Sequence, residues 1–141
     1  MRMRIAAACV VLLAGLADAG LLFAREPEGQ SAVTTEQLLA EALAGEDGKE
    51  VIAQTYIFPA GTVLPWHIHP DAHEIAYVLE GNFTFERAGE ELKEMKPGEA
   101  DYLQPNVVHR GMNKTDKPVK LFVMRIKPKG KPLVEEVPAP Q

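Results

Sequence analysis

From Glu50 onward, apolar and polar residues alternate with a period of two, in short runs rich in β-branched and aromatic side chains. The pattern predicts strands near residues 50–58, 63–69, 74–80, 83–87, 91–95, 100–104, 107–113 and 119–127. Turn chemistry divides them: Pro59-Ala60-Gly61, Pro70-Asp71, Gly81-Asn82, Ala88-Gly89, Pro97-Gly98, Pro105-Asn106 and Thr115 to Pro118. Gly81-Asn82 between two apolar runs reads as a two-residue hairpin with glycine first. Short strands so closely spaced fit an all-β sandwich or jelly-roll barrel.

Upstream the period changes. Thr34 and Gln37 stand at capping-box spacing, Leu38, Leu39, Ala42 and Leu43 recur at helical spacing, and Gly45 supplies a stop. One short helix over residues 35–44 is expected. Arg25 to Ala32 reads as a linker, and Pro128 to Gln141, with four prolines and no period, as a loose tail, with Lys127, Lys129 and Lys131 solvated.

Residues 1–24 have the parts of a secretory signal peptide: Arg2 and Arg4, an apolar run from Ile5 to Leu16, then Ala17-Asp18-Ala19. Cleavage after Ala19 gives an exported chain, periplasmic or secreted, and removes Cys9, the one cysteine. The alternative is an uncleaved membrane anchor, because Ile5 to Ala24 is 20 residues long, although Asp18 inside the span opposes it. The organisation expected is a signal peptide over 1–19, linker and helix over 20–49, one domain over 50–127 and a tail over 128–141.

Composition narrows the function. A chain of 141 residues, 46% apolar and 25% charged, has room for one sizeable core. Its net charge of −5 offers phosphate backbones no general attraction, so nucleic acid is not an expected partner. A lone cysteine excludes an intramolecular disulfide framework and paired-thiolate zinc sites.

The histidines carry the chemistry. All four lie between positions 67 and 109, and His67, His69 and His73 fall within seven residues. His67 and His69, two apart on a predicted strand, send their imidazoles to one face. Glu74 begins the next strand after the bend at Pro70, and His109 arrives from a later one. Three imidazoles and a carboxylate suit iron, manganese, nickel, copper, cobalt or zinc. With neutral imidazoles a divalent ion would keep a formal +1 charge and favour an anionic oxygen ligand. His73 neighbours Glu74, so strand alternation turns it to the opposite face. Trp66, Phe83 and Phe85 could shape a pocket, and Glu86 and Gln54 could orient a substrate, although core packing and solvated polar faces are the commoner roles.

These residues resemble the cupin superfamily. Its first motif is a glycine, five residues, His-x-His, three or four residues, Glu, six residues and Gly, which Gly61, His67, His69, Glu74 and Gly81 fit throughout. Of the second motif, Gly98, His109 and Asn113 fit; the proline is displaced to Pro105, and the inner glycine is Asn106, which tolerates left-handed backbone. The resemblance implies a double-stranded β-helix, a jelly-roll barrel, with His67, His69, Glu74 and His109 as ligands of a divalent transition metal. By size the chain resembles the quercetin-dioxygenase-like cupins. That suggests a dioxygenase-like enzyme on a small oxygen-bearing molecule, by analogy. A non-catalytic metal and ligand binding module, or an isomerase or epimerase, are the alternatives. The expected partner is a small, anionic molecule, and a homodimer stays open.

Overall fold

The computed structural model describes residues 32–141. The signal peptide or anchor and most of the linker expected from the sequence lie outside them. Ten strands follow in chain order: β1 (Thr34–Ala42), β2 (Lys49–Phe58), β3 (His67–Ile68), β4 (His73–Glu80), β5 (Phe83–Arg87), β6 (Lys93–Met95), β7 (Ala100–Leu103), β8 (His109–Met112), β9 (Val119–Pro128) and β10 (Glu135–Glu136). They form two antiparallel five-stranded sheets, ordered β1-β2-β9-β4-β7 and β10-β3-β8-β5-β6. From β2 to β10 the chain changes sheet at every step except β5 to β6. This is the double-stranded β-helix that the cupin resemblance implied, within the all-β class that the alternating pattern predicted.

Alternation sets what each sheet buries. On β9, Val119, Leu121, Val123, Arg125 and Lys127 face inward, and on β4 Glu74, Ala76 and Val78 do the same. Their apolar members meet Phe58, Phe83, Phe85 and Met95 to make the core between the sheets. Gly111 on β8 allows a close approach, since a Cβ there would lie 2.6 Å from Cζ of Phe83. Asn113 ties loops together, donating from Nδ2 to the carbonyls of Phe58, Pro59 and Lys117 while Oδ1 accepts from Thr115.

Four expectations are corrected. Residues 35–44 are not a helix: Thr34 to Ala42 pair with β2 from Thr34↔Ile57 to Ala42↔Glu50, with a bulge between Gln37 and Leu39. The helical stripe would have had no core to pack on, as Leu38 and Leu39 are exposed, and an isolated helix of this length is marginal in water. The unpaired edge of β2 supplies a backbone ladder instead. Gly81-Asn82 is not a hairpin but the crossing from one sheet to the other, because β4 pairs with β7 and β9 while β5 pairs with β6 and β8. Gly81 takes φ 75°, and a Cβ there would meet Cγ2 of Val119 at 2.8 Å. The strand predicted over 63–69 shrinks to His67–Ile68 with an isolated bridge at Val63, since Pro65 has no N–H to give a ladder.

The tail expected to be loose returns to the barrel, and Lys127 before it, expected to be solvated, is buried and donates to Glu50. Glu135 and Glu136 pair with Ile68 and His67, and the Val137 amide donates to the Trp66 carbonyl. Among the described residues no helix is long and apolar enough to cross a membrane.

Candidate metal centre

The two sheets bring different chemistry to one place. Sheet β10-β3-β8-β5-β6 supplies imidazoles. His67 on β3 and His109 on β8 are direct cross-strand partners, and their ring centroids lie 4.2 Å apart. His69, just beyond β3, stands 5.1 Å from His67 and 5.0 Å from His109 by the same measure. All three are buried, and one ring nitrogen from each falls within 4.8 Å of the others, a group that could hold a metal ion.

Backbone carbonyls fix how these rings present themselves. Nδ1 of His67 donates to the Pro65 carbonyl at 2.8 Å, Nδ1 of His109 to Val107 at 2.9 Å, and Nδ1 of His69 to Leu133 at 2.6 Å. A carbonyl only accepts, so each Nδ1 carries a proton and each neutral ring keeps its lone pair on Nε2. Burial lowers the pKa of His67, and burial together with the neighbouring His67 lowers His109 to about 4. The pair therefore stays neutral at physiological pH.

Sheet β1-β2-β9-β4-β7 supplies the charges. Glu74 on β4 is the cross-strand partner of Arg125 on β9, and Nε of Arg125 donates to its Oε2 at 2.7 Å. The same Oε2 lies 2.8 Å from Nε2 of His69. Nη1 of Arg125 donates to the Tyr56 hydroxyl at 2.9 Å and to Oε1 of Gln54 at 3.1 Å, and Tyr56 donates to Gln54 at 2.7 Å. Burial works to raise the Glu74 pKa, but the Arg125 charge and the His69 hydrogen bond outweigh it and hold the carboxyl well below the usual carboxylate range. Burial likewise opposes the charge on Arg125, and Glu74 overrides it, so the guanidinium stays protonated.

These groups border a cavity of about 260 Å³, walled elsewhere by residues such as Phe58, Phe83, Phe85, Leu121, Val123 and Val134. Phe83 and Phe85 thus line it as the sequence suggested, and Gln54 is buried in the charge network rather than solvated. Glu86 bonds to Arg110, whose guanidinium lies 4.7 Å over the Trp66 ring. His73 points outward and shares a 2.6 Å hydrogen bond with the Tyr102 hydroxyl. Sequence reasoning missed Arg125, Tyr56 and the Leu133 carbonyl. A signal for Arg125 was present, since it shares the inward register of Leu121 and Val123, where a charge needs a partner.

No curated protein matches the sequence. Solved structures share the fold at low identity. DMSP lyase DddQ from Ruegeria pomeroyi is 23% identical with a TM-score of 0.57, over 71% of this chain and 49% of its own, so the chain spans about half of that enzyme. A protein with a double-stranded β-helix domain from Klebsiella pneumoniae is 18% identical with a TM-score of 0.58, over 82% of this chain and 90% of its own. The cupin domain of an XRE family transcriptional regulator from Enterobacter cloacae is 15% identical with a TM-score of 0.56, over 70% of this chain and 99% of its own. The family model for the cupin domain matches residues 54–125, from Gln54 through the histidines to Arg125. That is just over half of the chain, and with the barrel and its buried histidine group it makes this protein a member of the cupin family.

Proposed function

We propose that the protein is an exported, metal-dependent cupin of the quercetin-dioxygenase-like kind, in which His67, His69, His109 and Glu74 hold a divalent transition metal beside a small-ligand cavity. The observation that carries this reading is the convergence of three buried imidazoles whose Nδ1 atoms all donate to backbone carbonyls, which leaves the Nε2 atom of each ring to face the interior. The Glu74 to His69 contact fits the same reading. At 2.8 Å the two atoms are joined by a hydrogen bond, and donors bound about 2.1 Å from one ion at right angles stand about 3 Å apart, so an ion that displaced that proton would find both ligand atoms in place.

When bound, the ion would supply Lewis-acid or redox activation of a substrate oxygen. The chain's own residues prepare the place. The Pro65, Val107 and Leu133 carbonyls orient the rings, Arg125 keeps Glu74 ionised, and the apolar wall excludes water from the ligand's body. The substrate is a small oxygen-bearing molecule. A solved neighbour described as a DMSP lyase supports small-molecule chemistry in this fold. The test is elemental analysis of protein recovered from its native compartment, followed by oxygen uptake with candidate substrates. Iron, copper or nickel with substrate-dependent uptake supports the dioxygenase-like reading, whereas a metal-free protein refutes the metal site.

A second reading, a non-catalytic binding module, is favoured by one feature: Glu74, the carboxylate of the cavity, is locked to Arg125 and poorly suited to proton transfer. Ligand-dependent thermal stabilisation without turnover would support it. For export, the amino-terminal residue of secreted material should be Gly20, and recovery only as an intact chain in membranes would favour the anchor. The exposed outer residues Ile57, Ile75, Tyr77, Leu79 and Tyr102 support a homodimer, which sedimentation would detect.

A further inference from the structure

Arg125 has more donors than the protein uses. A guanidinium carries five N–H bonds. Nε donates to Glu74, and Nη1 donates to Tyr56 and Gln54. Among the described residues, Nη2 donates to nothing, although the side chain is only 7% exposed. No fully buried side-chain nitrogen or oxygen among those residues lacks a partner, so Nη2 keeps accessible surface, and Arg125 is one of the residues that line the cavity. The group is also held still. Three hydrogen bonds fix it, and the Tyr56 ring lies 5.5 Å from its central carbon.

The surroundings restrict what Nη2 can receive. Polar groups of the cavity are the histidines, Glu74, Arg125 and Tyr56; the rest of the wall is aliphatic and aromatic. Sugars and nucleotides would leave hydroxyls unpaired against that wall. The volume, about 260 Å³, falls below the usual range of drug-sized pockets. Glu74 already offsets the Arg125 charge, and a polyanion would meet that carboxylate at close range. A single carboxylate on an apolar body satisfies every constraint, offering Nη2 an acceptor that forms a charge-assisted bond.

We propose that Arg125 is the specificity-determining anchor for the carboxylate of a small, largely apolar acid, bound through Nη2 next to the histidine group. This rests on the small-ligand reading above and names the class of that ligand.

The test is calorimetric titration of chelator-treated and metal-loaded protein with straight-chain acids from acetate to octanoate and with the primary alcohols of the same length. Wild type should bind the acids about tenfold to a hundredfold more tightly than the matching alcohols, with affinity rising about fourfold per methylene until the cavity is filled. In metal-free Arg125→Met with Glu74→Gln, which removes both charges together, acid and alcohol should bind equally while the methylene increment persists. Arg125→Lys keeps a charge but not the fork, and should reduce the preference, which gives the same reading if the double variant does not fold. Equal binding of acid and alcohol by wild type, no saturable binding of any acid, or a preference unchanged in the folded variants overturns the anchor. Titration with the metal alone reports separately. An acid preference that depends on Arg125 in a protein that binds no metal refutes the metal site and keeps the anchor, and metal binding without acid preference does the reverse.

Discussion

Replacing Arg125 by Met should be among the most destabilising single changes in this domain, and its cost should depend on pH in a direction opposite to the ordinary carboxylate. Glu74 and Arg125 are 4% and 6% exposed, so the substitution strands a buried carboxylate with the His69 contact alone. Gln54 and Tyr56 keep their mutual bond, which confines the damage to Glu74. Breaking a buried pair from one side typically costs about 3–5 kcal/mol, whereas removing both charges is close to neutral. Arg125→Met with Glu74→Gln should therefore recover most of the loss.

The pH dependence separates this account from simple loss of packing. In wild type the Glu74 pKa is depressed, so its contribution is present above the ordinary carboxylate value and lost as pH falls through that range. In Arg125→Met burial acts unopposed by the guanidinium and raises the Glu74 pKa. The folded variant then binds a proton that the unfolded chain does not, so its stability rises as pH falls. The gap between wild type and variant should narrow on acidification. Urea unfolding of chelator-treated protein from pH 5 to pH 8 measures it, with m values checked for two-state behaviour. A cost under about 1 kcal/mol, a gap independent of pH, or a double variant as unstable as the single one would refute the reasoning.

Substitution of His67, His69 or His109 by Ala should each lower metal content, and unchanged stoichiometry in the His67, His69 double variant, measured by elemental analysis, would exclude the proposed centre. His73→Ala should leave metal content near normal, because that ring faces Tyr102 on the outer surface, while Glu74→Gln should weaken binding. Metal-free protein should lose stability as pH falls from the ordinary histidine range toward about 4, since His109 stays neutral in the folded state while the unfolded chain takes up the proton. Denaturant midpoints across that range check it. Gly111→Ala should cost about 1–3 kcal/mol in thermal or denaturant unfolding, because its Cβ would overlap the Phe83 ring.

The parts of this fold readable from sequence were those with a period. β4 and β9, expected over 74–80 and 119–127, run over His73–Glu80 and Val119–Pro128, but which face is inward did not follow from hydrophobicity, since Ile75, Tyr77 and Leu79 are exposed while Glu74 and Arg125 are buried. β1 was not readable, because Leu38, Leu39, Ala42 and Leu43 satisfy helical spacing, and what decides their conformation is the open edge of β2, a tertiary fact. The tail was misjudged for a related reason. Two glutamates in a short segment between Pro132 and Pro138 carry no strand signal, yet Glu135 and Glu136 pair with β3 and nearby Leu133 gives His69 its carbonyl.

The candidate site divides along the same line. His67 and His69 stand two positions apart and are legible as a pair, and Glu74 and His109 join them through spacing. Arg125 became visible only with the register, since nothing local links it to Glu74, 51 positions away. Its presence changes the electrostatics inferred from sequence. Three neutral imidazoles and one carboxylate would leave a bound divalent ion a formal +1 charge. The guanidinium adjoining that carboxylate raises the total for the whole cluster to +2, while the field at the ligands stays that of a partly neutralised Glu74. A site so charged, enclosed by phenyl and aliphatic walls, favours an anionic ligand more strongly than the histidine motif alone implied. Nη2 of Arg125, which donates to no described residue, gives that preference an anchor on the cavity wall.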